Sequence, residues 1–333
     1  MKKKVKRIAC MILCGLMLWT LAGCAKQPPK VPDTDAASKI TYNTNIIAAI
    51  QNDGRVVIAG LSMGAGRGQY AAHKWKDIRQ IDSSGLHIVG VKKDGTAVAC
   101  GYNSEGQCDV MDWTNVKQAA AISSETIALF EDGTLGTTNP EHAEEFSAAR
   151  DITAIACDKL YGNVIALKEN GTAEAFITYP PFQSLAREVE KWKDITQVSA
   201  GLGYFTGLKE DGTVLFAGGV IESADGTGRG EVKDWTDIAY VAAGDYQTWG
   251  IKTDGTVIST EFYDPDQSLG KMPDFAETEE WTDIVALEAD SQLVVGLRAD
   301  GTVVLSGYPE FGMAAAEKWT DIGNWTIQGS DRH

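Results

Sequence analysis

Gly60-Leu61-Ser62-Met63-Gly64 has the G-x-S-x-G spacing of a hydrolase nucleophile elbow, and it follows the apolar run Val56-Val57-Ile58-Ala59. Such a turn activates its serine only if a helix follows and a histidine backed by a carboxylate reaches the hydroxyl. Here Ala65-Gly66-Arg67-Gly68-Gln69 follows, a poor helix start, and His73, His87, His142 and His333 are the only histidines, none with an evident Asp partner. Gly64-Ala65-Gly66-Arg67-Gly68 lacks the βαβ surroundings of a dinucleotide fingerprint. Asp264-Pro265-Asp266-Gln267-Ser268-Leu269-Gly270 faintly resembles a calcium loop, but its Gly falls one place late and the twelfth position has no carboxylate. Cys100, Cys108 and Cys157 make no C-x-x-C pair and no zinc spacing. The reading is a non-enzyme without catalytic residues, metal site or cofactor. Cys100 and Cys108 flank one loop and either pair or stay separate thiols.

The elements that would position any site are written as a repeat. Asp53-Gly54, Asp94-Gly95, Asp132-Gly133, Asn170-Gly171, Asp211-Gly212, Asp254-Gly255 and Asp300-Gly301 lie 41, 38, 38, 41, 43 and 46 residues apart, with Thr next in six of seven. Each sits between short apolar, β-rich runs, which predicts a hairpin with a type I′ turn. A second column reads Trp75-Lys-Asp-Ile, Trp113-Thr-Asn-Val, Trp192-Lys-Asp-Ile, Trp235-Thr-Asp-Ile, Trp281-Thr-Asp-Ile and Trp319-Thr-Asp-Ile, with Ala149 in place of Trp in the remaining copy. The recurrence of these indoles in one register predicts packing between units rather than a glycan platform. Small residues follow eight places on: Ser83, Ala121, Cys157, Ala200, Ala243 and Ala289, with Ile327 the exception.

This pattern predicts an all-β fold, a seven-bladed β-propeller of four-stranded units whose small column lies where the inner strands converge. The region opens at Ile46-Ile47-Ala48-Ala49-Ile50, read as a second strand with no inner strand before it. It ends with an orphan inner strand, Ile322 to Gln328. Pairing of that C-terminal strand into the first blade is expected to close the ring and hide both edges.

The N-terminus carries an address. Lys2, Lys3, Lys4, Lys6 and Arg7 precede an apolar run from Ile8 to Ala22, the layout of a signal peptide. The run ends in Leu21-Ala22-Gly23-Cys24, which looks like the bacterial lipobox. That resemblance implies acylation of Cys24, a cut before it, and a bacterial cell-membrane, lipid-anchored, extracytoplasmic protein. The boundaries read as signal peptide 1–23, lipidated Cys and linker 24–39, propeller 40–328 and tail 329–333. The net charge of −16 over 333 residues becomes more negative once the basic leader is cut. This excludes nucleic acid, whose binders cluster Lys and Arg.

The second unit carries His87, Asp94-Gly95-Thr96 and Gly101-Tyr102-Asn103-Ser104-Glu105-Gly106-Gln107. These residues resemble the regulator of chromosome condensation repeat family, a resemblance that spans nearly all of 40–328 and implies the propeller. The family's founder is a nucleotide-exchange factor that binds chromatin, a role the leader and the charge oppose. A secreted propeller that inhibits β-lactamases is the closer precedent. The hairpins are uniform, whereas the connections on the opposite face vary and carry aromatics: Tyr102, Tyr179, Phe182, Phe262, Tyr263, Tyr308 and Phe311. These either cover blade edges or form a binding face. Eight residues before each hairpin Gly lie Ile46, His87, Glu125, Asn163, Tyr204, Gln247 and Leu293. The polar members of that column either bind or satisfy turn backbone. The expected partner is an extracytoplasmic protein, with a cell-wall glycan second and the chain itself a monomer. The rival is an enzyme working in the central channel, where Asp82 and Glu288 would project.

Overall fold

The structure, a computed structural model, describes residues 36, 38–60, 68–218, 228–261 and 273–323. Ser62, the Asp264–Gly270 loop, Cys24, Phe262 and Tyr263 lie outside the described residues. The chain forms seven three-stranded antiparallel sheets, each in sequence order. The first holds β1 (Ile40–Asn43), β2 (Ile46–Ile50) and β3 (Val56–Gly60), and the second β4 (Ile78–Ser83), β5 (His87–Lys92) and β6 (Ala97–Gly101). The third and fourth are β7 (Val116–Ala121), β8 (Thr126–Phe130), β9 (Leu135–Thr137), then β10 (Ile152–Cys157), β11 (Val164–Lys168), β12 (Ala173–Phe176). The fifth comprises β13 (Ile195–Gly201), β14 (Tyr204–Lys209) and β15 (Val214–Gly218). β16 (Ile238–Ala243), β17 (Thr248–Lys252) and β18 (Val257–Ser259) make the sixth, and β19 (Ile284–Ala289), β20 (Leu293–Arg298) and β21 (Val303–Gly307) the seventh.

A fourth strand is not formed in the described residues. Its expected place holds short helical turns such as Gln69–Lys74, α1 (Ala143–Ser147), α2 (Ser184–Val189) and Ala276–Glu280. In every repeat the residue three before the Trp position is buried, and its carbonyl accepts the amide at that position, as in Trp75 to Ala72 and Trp192 to Val189. One local turn thus satisfies the backbone while burying an anchor, so no outer ladder is needed.

The Asp-Gly hairpins also differ from expectation. Each Gly has positive φ, from 76° to 85°, but none of the Asp or Asn residues before them does. In the second blade Gly95 N–H donates to Lys92 O and Lys92 N–H to Thr96 O, and the same pair of bonds recurs in all seven hairpins. This is a type I turn followed by a left-handed Gly, a three-residue loop with a G1 bulge, not a type I′ turn. The Asp94 carboxylate accepts both the N–H and the hydroxyl of Thr96, at 3.0 and 2.7 Å. That pair of hydrogen bonds explains the Thr of the repeat.

The Asp or Asn of the Trp column is itself left-handed, with φ between 56° and 60° at Asp77, Asn115, Asp151, Asp194, Asp237 and Asp283. These residue types tolerate that conformation best after Gly. The kink lets Ile78 N–H reach Gly54 O of the preceding hairpin, tying blade to blade. Four of the indoles lie on glycines of the middle strands, as Trp75 on Gly90 and Trp281 on Gly296, within apolar layers shared by adjacent blades.

The inner strands pack in succession, β1 on β4, β4 on β7, β7 on β10, β10 on β13, β13 on β16, β16 on β19, and β19 back on β1. Glutamines reinforce three of these steps. Gln80 both donates to Ala119 O (2.9 Å) and accepts from Ala119 N (3.0 Å); Gln118 does the same to Ile155 and Gln197 to Val241.

The seam corrects the sequence reading. The first blade does have an inner strand, since β1 pairs with β2 with Ile40 opposite Ala49. Ile322 bridges Gln51 as Ile78 bridges Lys92 in the second blade, the first position of an inner strand. Ile322 N–H donates to Gly301 O and Asn52 N–H to Asp321 O, the bonds expected of a blade junction. Ile40–Asn43 then fills the place assigned to the C-terminal strand; residues 324–328 lie outside the described residues. One apolar cluster joins Ile40, Tyr42 and Ile47 of the first blade to Leu293, Val295 and Met313 of the seventh.

Candidate functional site

The inner strands run from the hairpin face toward the face that bears their turns into the middle strands. The connections leaving the third strands emerge on that same turn face. The fourth blade's turn, residues 158–163, is the best-built part of it. Asp158 accepts from Leu160 N, Tyr161 N and Gly203 N within 3.0–3.1 Å, and burial pushes its carboxyl up despite those bonds. Ser123 N–H donates to Lys159 O and Thr178 Oγ to Tyr161 O, fixing the loop to its neighbours.

That loop displays an aromatic step. Tyr161 and Tyr179 stack with centroids 5.0 Å apart and planes at 15°, and both lean on Phe182. Tyr179 is 43% exposed and the neighbouring Leu160 61%. Phe182 corrects the sequence reading: it is 4% exposed, part of the core with Leu185 and Val189. Its Pro180–Phe182 turn folds the ring inward, where Gly203 leaves room for it. Tyr102, Tyr308 and Phe311 are exposed as expected, but on the second and seventh blades, so no single patch gathers the set. Phe311 adopts left-handed backbone with φ 54° and is 52% exposed. Leu160 and Tyr161 were missed because a Leu-Tyr pair before Gly in a short turn looks like strand end; its own Asx bonds hold it outward.

The channel carries a second cluster. Asp82 on β4 and Glu288 on β19 both project inward, and Lys159 reaches across from the fourth blade to lie 3.1 Å from one and 3.7 Å from the other. Asp82 also accepts from Thr41 Oγ and Ala121 N. Burial raises Glu288 to about 7, aided by Asp82 and opposed by Lys159. Burial works against the Lys159 ammonium, but the facing carboxylates outweigh it and hold its pKa above the usual lysine value. At the channel mouth burial and Asp290 push Asp245 to about 7. Asp290 accepts from Gln292 N and Leu293 N, and from Tyr42 across the seam.

The polar column resolves into turn satisfaction. Tyr204 OH donates to Gln247 O, Gln247 Nε2 to Thr260 O, and Asn163 Oδ1 accepts from Tyr179 N. His87 is buried between Ser84 and Thr126, and burial lowers it to about 4. Glu125 pairs with His142 at 2.7 Å and accepts from Thr137. Cys100, Cys108 and Cys157 are free thiols; burial lifts the first two to about 12 and about 11 and the third well above the ordinary value. Among the described residues no group of three or more His, Cys, Asp or Glu is arranged to hold a metal ion. None of their helices is long and apolar enough to cross a membrane.

Seven antiparallel sheets packed in a circle, with unequal connections on one face, define a β-propeller. Residues 78–107, in the second blade, match the sequence profile of the Regulator of chromosome condensation (RCC1) repeat. The fold is similar to the CRINKLY WD40 ectodomain of the Arabidopsis thaliana receptor kinase ACR4, with TM-score 0.61 and 13% identity over 81% of this chain and 94% of that one. The ectodomain of the Physcomitrella patens receptor kinase CR4 gives TM-score 0.57 and 14% identity, covering 81% and 73%. Yeast RCC1 (Prp20), solved with Kap60 bound, gives TM-score 0.51 and 14% identity, covering 81% and 76%. No curated protein matches the chain. At these identities the likeness speaks for the fold alone.

Proposed function

We propose that the chain is a non-catalytic binding module, tethered to the outer side of a bacterial membrane through lipid on Cys24, which offers its turn face to an extracytoplasmic protein. The observation that carries this is the stacked Tyr161–Tyr179 pair with exposed Leu160, held rigidly by the fourth blade. Aromatic anchors on a pre-organised scaffold bind at low entropic cost. Inhibition of a secreted enzyme is one form this binding would take, and a cell-wall glycan is the second reading, since stacked tyrosines also suit a sugar face.

The direction of β1 supports the orientation. Its first residue, Ile40, lies toward the hairpin face, beside Ile322 and Gln51. A tether preceding it therefore belongs on that side, leaving the turn face directed away from the membrane. The channel favours a structural reading over an enzymatic one: Asp82 and Glu288 converge on an ammonium held protonated, which serves neither as base nor as nucleophile.

A photo-crosslinking residue at position 179 is expected to capture a defined protein on intact cells, and one at Asp211 on the hairpin face is not. Adding Leu160→Asp to the protein crosslinked through position 179 should abolish capture without lowering Tm by more than a few degrees. Equal capture from both faces, or none from position 179, refutes the reading. For the anchor, Cys24→Ser should end incorporation of labelled palmitate and release the chain from the membrane fraction; unchanged labelling would place the lipid elsewhere.

A further inference from the structure

Lys74, Lys76, Lys92 and Lys93 line one open groove of about 510 Å³ on the hairpin face of the second blade, in a chain whose net charge is −16. Its apolar side is Trp75 and Val98. The indole is held in place against Gly90, where an added Cβ would come within 3.0 Å of the ring. Among the described residues none of the four ammonium groups forms an ion pair, whereas Lys159, Lys168 and Lys209 do. Two carboxylates share the rim, Asp77 and Asp94. Asp94 stays charged, its pKa lowered by the two Thr96 bonds and by Lys92, so two carboxylates face four ammonium groups.

The repeat itself supplies the control. The same four positions read Lys318, Thr320, Gln51, Asn52 at the seam, Asp112, Thr114, Phe130, Glu131 in the third blade, and Asp234, Thr236, Lys252, Thr253 in the sixth. The fifth comes nearest, with Lys191, Lys193 and Lys209, but Glu210 replaces the fourth lysine and Lys209 pairs with Asp211 at 3.1 Å. Nothing in blade construction therefore requires four lysines at these places. Like charges so close are unfavourable unless an anion joins them.

We infer that this groove binds a compact phosphate-bearing ligand. Carboxylates favour the flat fork of arginine, whereas flexible ammonium groups act as point charges suited to several phosphate oxygens at once. The neighbouring Arg79 is committed elsewhere, donating to Val116 O and Lys117 O. The volume falls within the usual range for small-molecule sites, and the acidity of the whole chain disfavours a long polyanion. The groove shares its face with the start of β1, so phosphates of an anionic lipid headgroup and of a soluble anion are both within its chemistry.

Calorimetric titration of the full chain with pyrophosphate at low ionic strength tests this. Binding is expected, weakened at least about tenfold by Lys76→Glu with Lys93→Glu and unchanged by Lys191→Glu with Lys193→Glu. Flotation with vesicles containing phosphatidylglycerol, against phosphatidylcholine alone, separates the sources. A Lys76/Lys93-dependent gain on the anionic vesicles assigns the headgroup; binding of pyrophosphate alone assigns a soluble ligand. No binding of either probe, or equal loss in both double variants, overturns the proposal. All four substituted lysines are exposed, and an unchanged Tm confirms folding.

Discussion

Gly307→Ala will destabilise the chain by about 3 kcal/mol or more, while Gly312→Ala, five residues on, will cost about 1 kcal/mol. Both glycines have positive φ, 111° and 88°, so both substitutions impose backbone strain. They differ in what the new methyl meets. At Gly307 a Cβ would lie 2.3 Å from Gln292 O and 2.8 Å from the Phe275 ring, whereas at Gly312 nothing lies within 4 Å. The Gln292 carbonyl has no freedom to retreat, because it accepts Tyr308 N–H at 2.8 Å. Urea denaturation of the two variants isolates close approach from strain. Equal losses would mean that the end of β21 relaxes freely and that the blade edge is softer than its packing indicates.

Lys159→Met will lower stability by about 2 kcal/mol at pH 8 and by clearly less at pH 5.5. Removing one partner of a partly buried ion pair leaves the others uncompensated, and partial exposure of this trio tempers the usual penalty. The sign of the pH effect follows from Glu288. Its carboxyl is raised to about 7 in the folded chain, so folding takes up a proton between the unfolded value and 7. Stability from this group is therefore highest below about pH 4.5 and declines as pH rises through 7; Asp245, also near 7, adds to the same slope. Without Lys159 the carboxyl rises further, and the decline extends to higher pH. At pH 5.5 it is already protonated in both proteins, which removes the Glu288 share of the difference and leaves that of Asp82. A loss independent of pH would show that Lys159 acts by packing rather than by charge.

The repeat was legible because each of its marks answers a backbone demand. Asp-Gly located every hairpin, and the Trp column every blade entrance. The hairpin type was not legible, because the same dipeptide serves a type I′ turn and a type I turn with a G1 bulge; the Thr that follows, with its two bonds to Asp94, was the available signal. The fourth strand failed for a similar reason. A single buried anchor before each Trp, such as Ala72 or Val189, fits strand and helical turn alike. The glutamine bridges had a signature, Gln two places after Ile78, Val116 and Ile195, but their partners lie on the next blade, which no local pattern encodes.

The candidate binding face was half legible. The described aromatics of the variable connections do lie on the face opposite the hairpins, yet hydrophobic character alone did not separate Phe182, folded under its own turn, from Tyr179 beside it. Tyr161 became visible only once the fourth blade's turn brought it onto Tyr179, a contact between residues on separate strand connections. Lys159 shows the same limit: its carboxylates come from blades distant in sequence, which no local pattern encodes.

Because the first blade pairs with both Ile322 and Ile40–Asn43, the molecule has a clasp whose halves lie far apart in the sequence. Asn52 and Asp321, which bond across it, are 269 residues apart. Joining so distant a pair in an unstructured chain costs about 2 kcal/mol more loop entropy than joining neighbours one repeat apart. The intervening blades must therefore stack first and bring the ends together, and the clasp forms last. Until it does, the first and seventh blades each present an uncovered apolar flank, so a growing chain remains sticky until the residues around Asp321 have met Asn52.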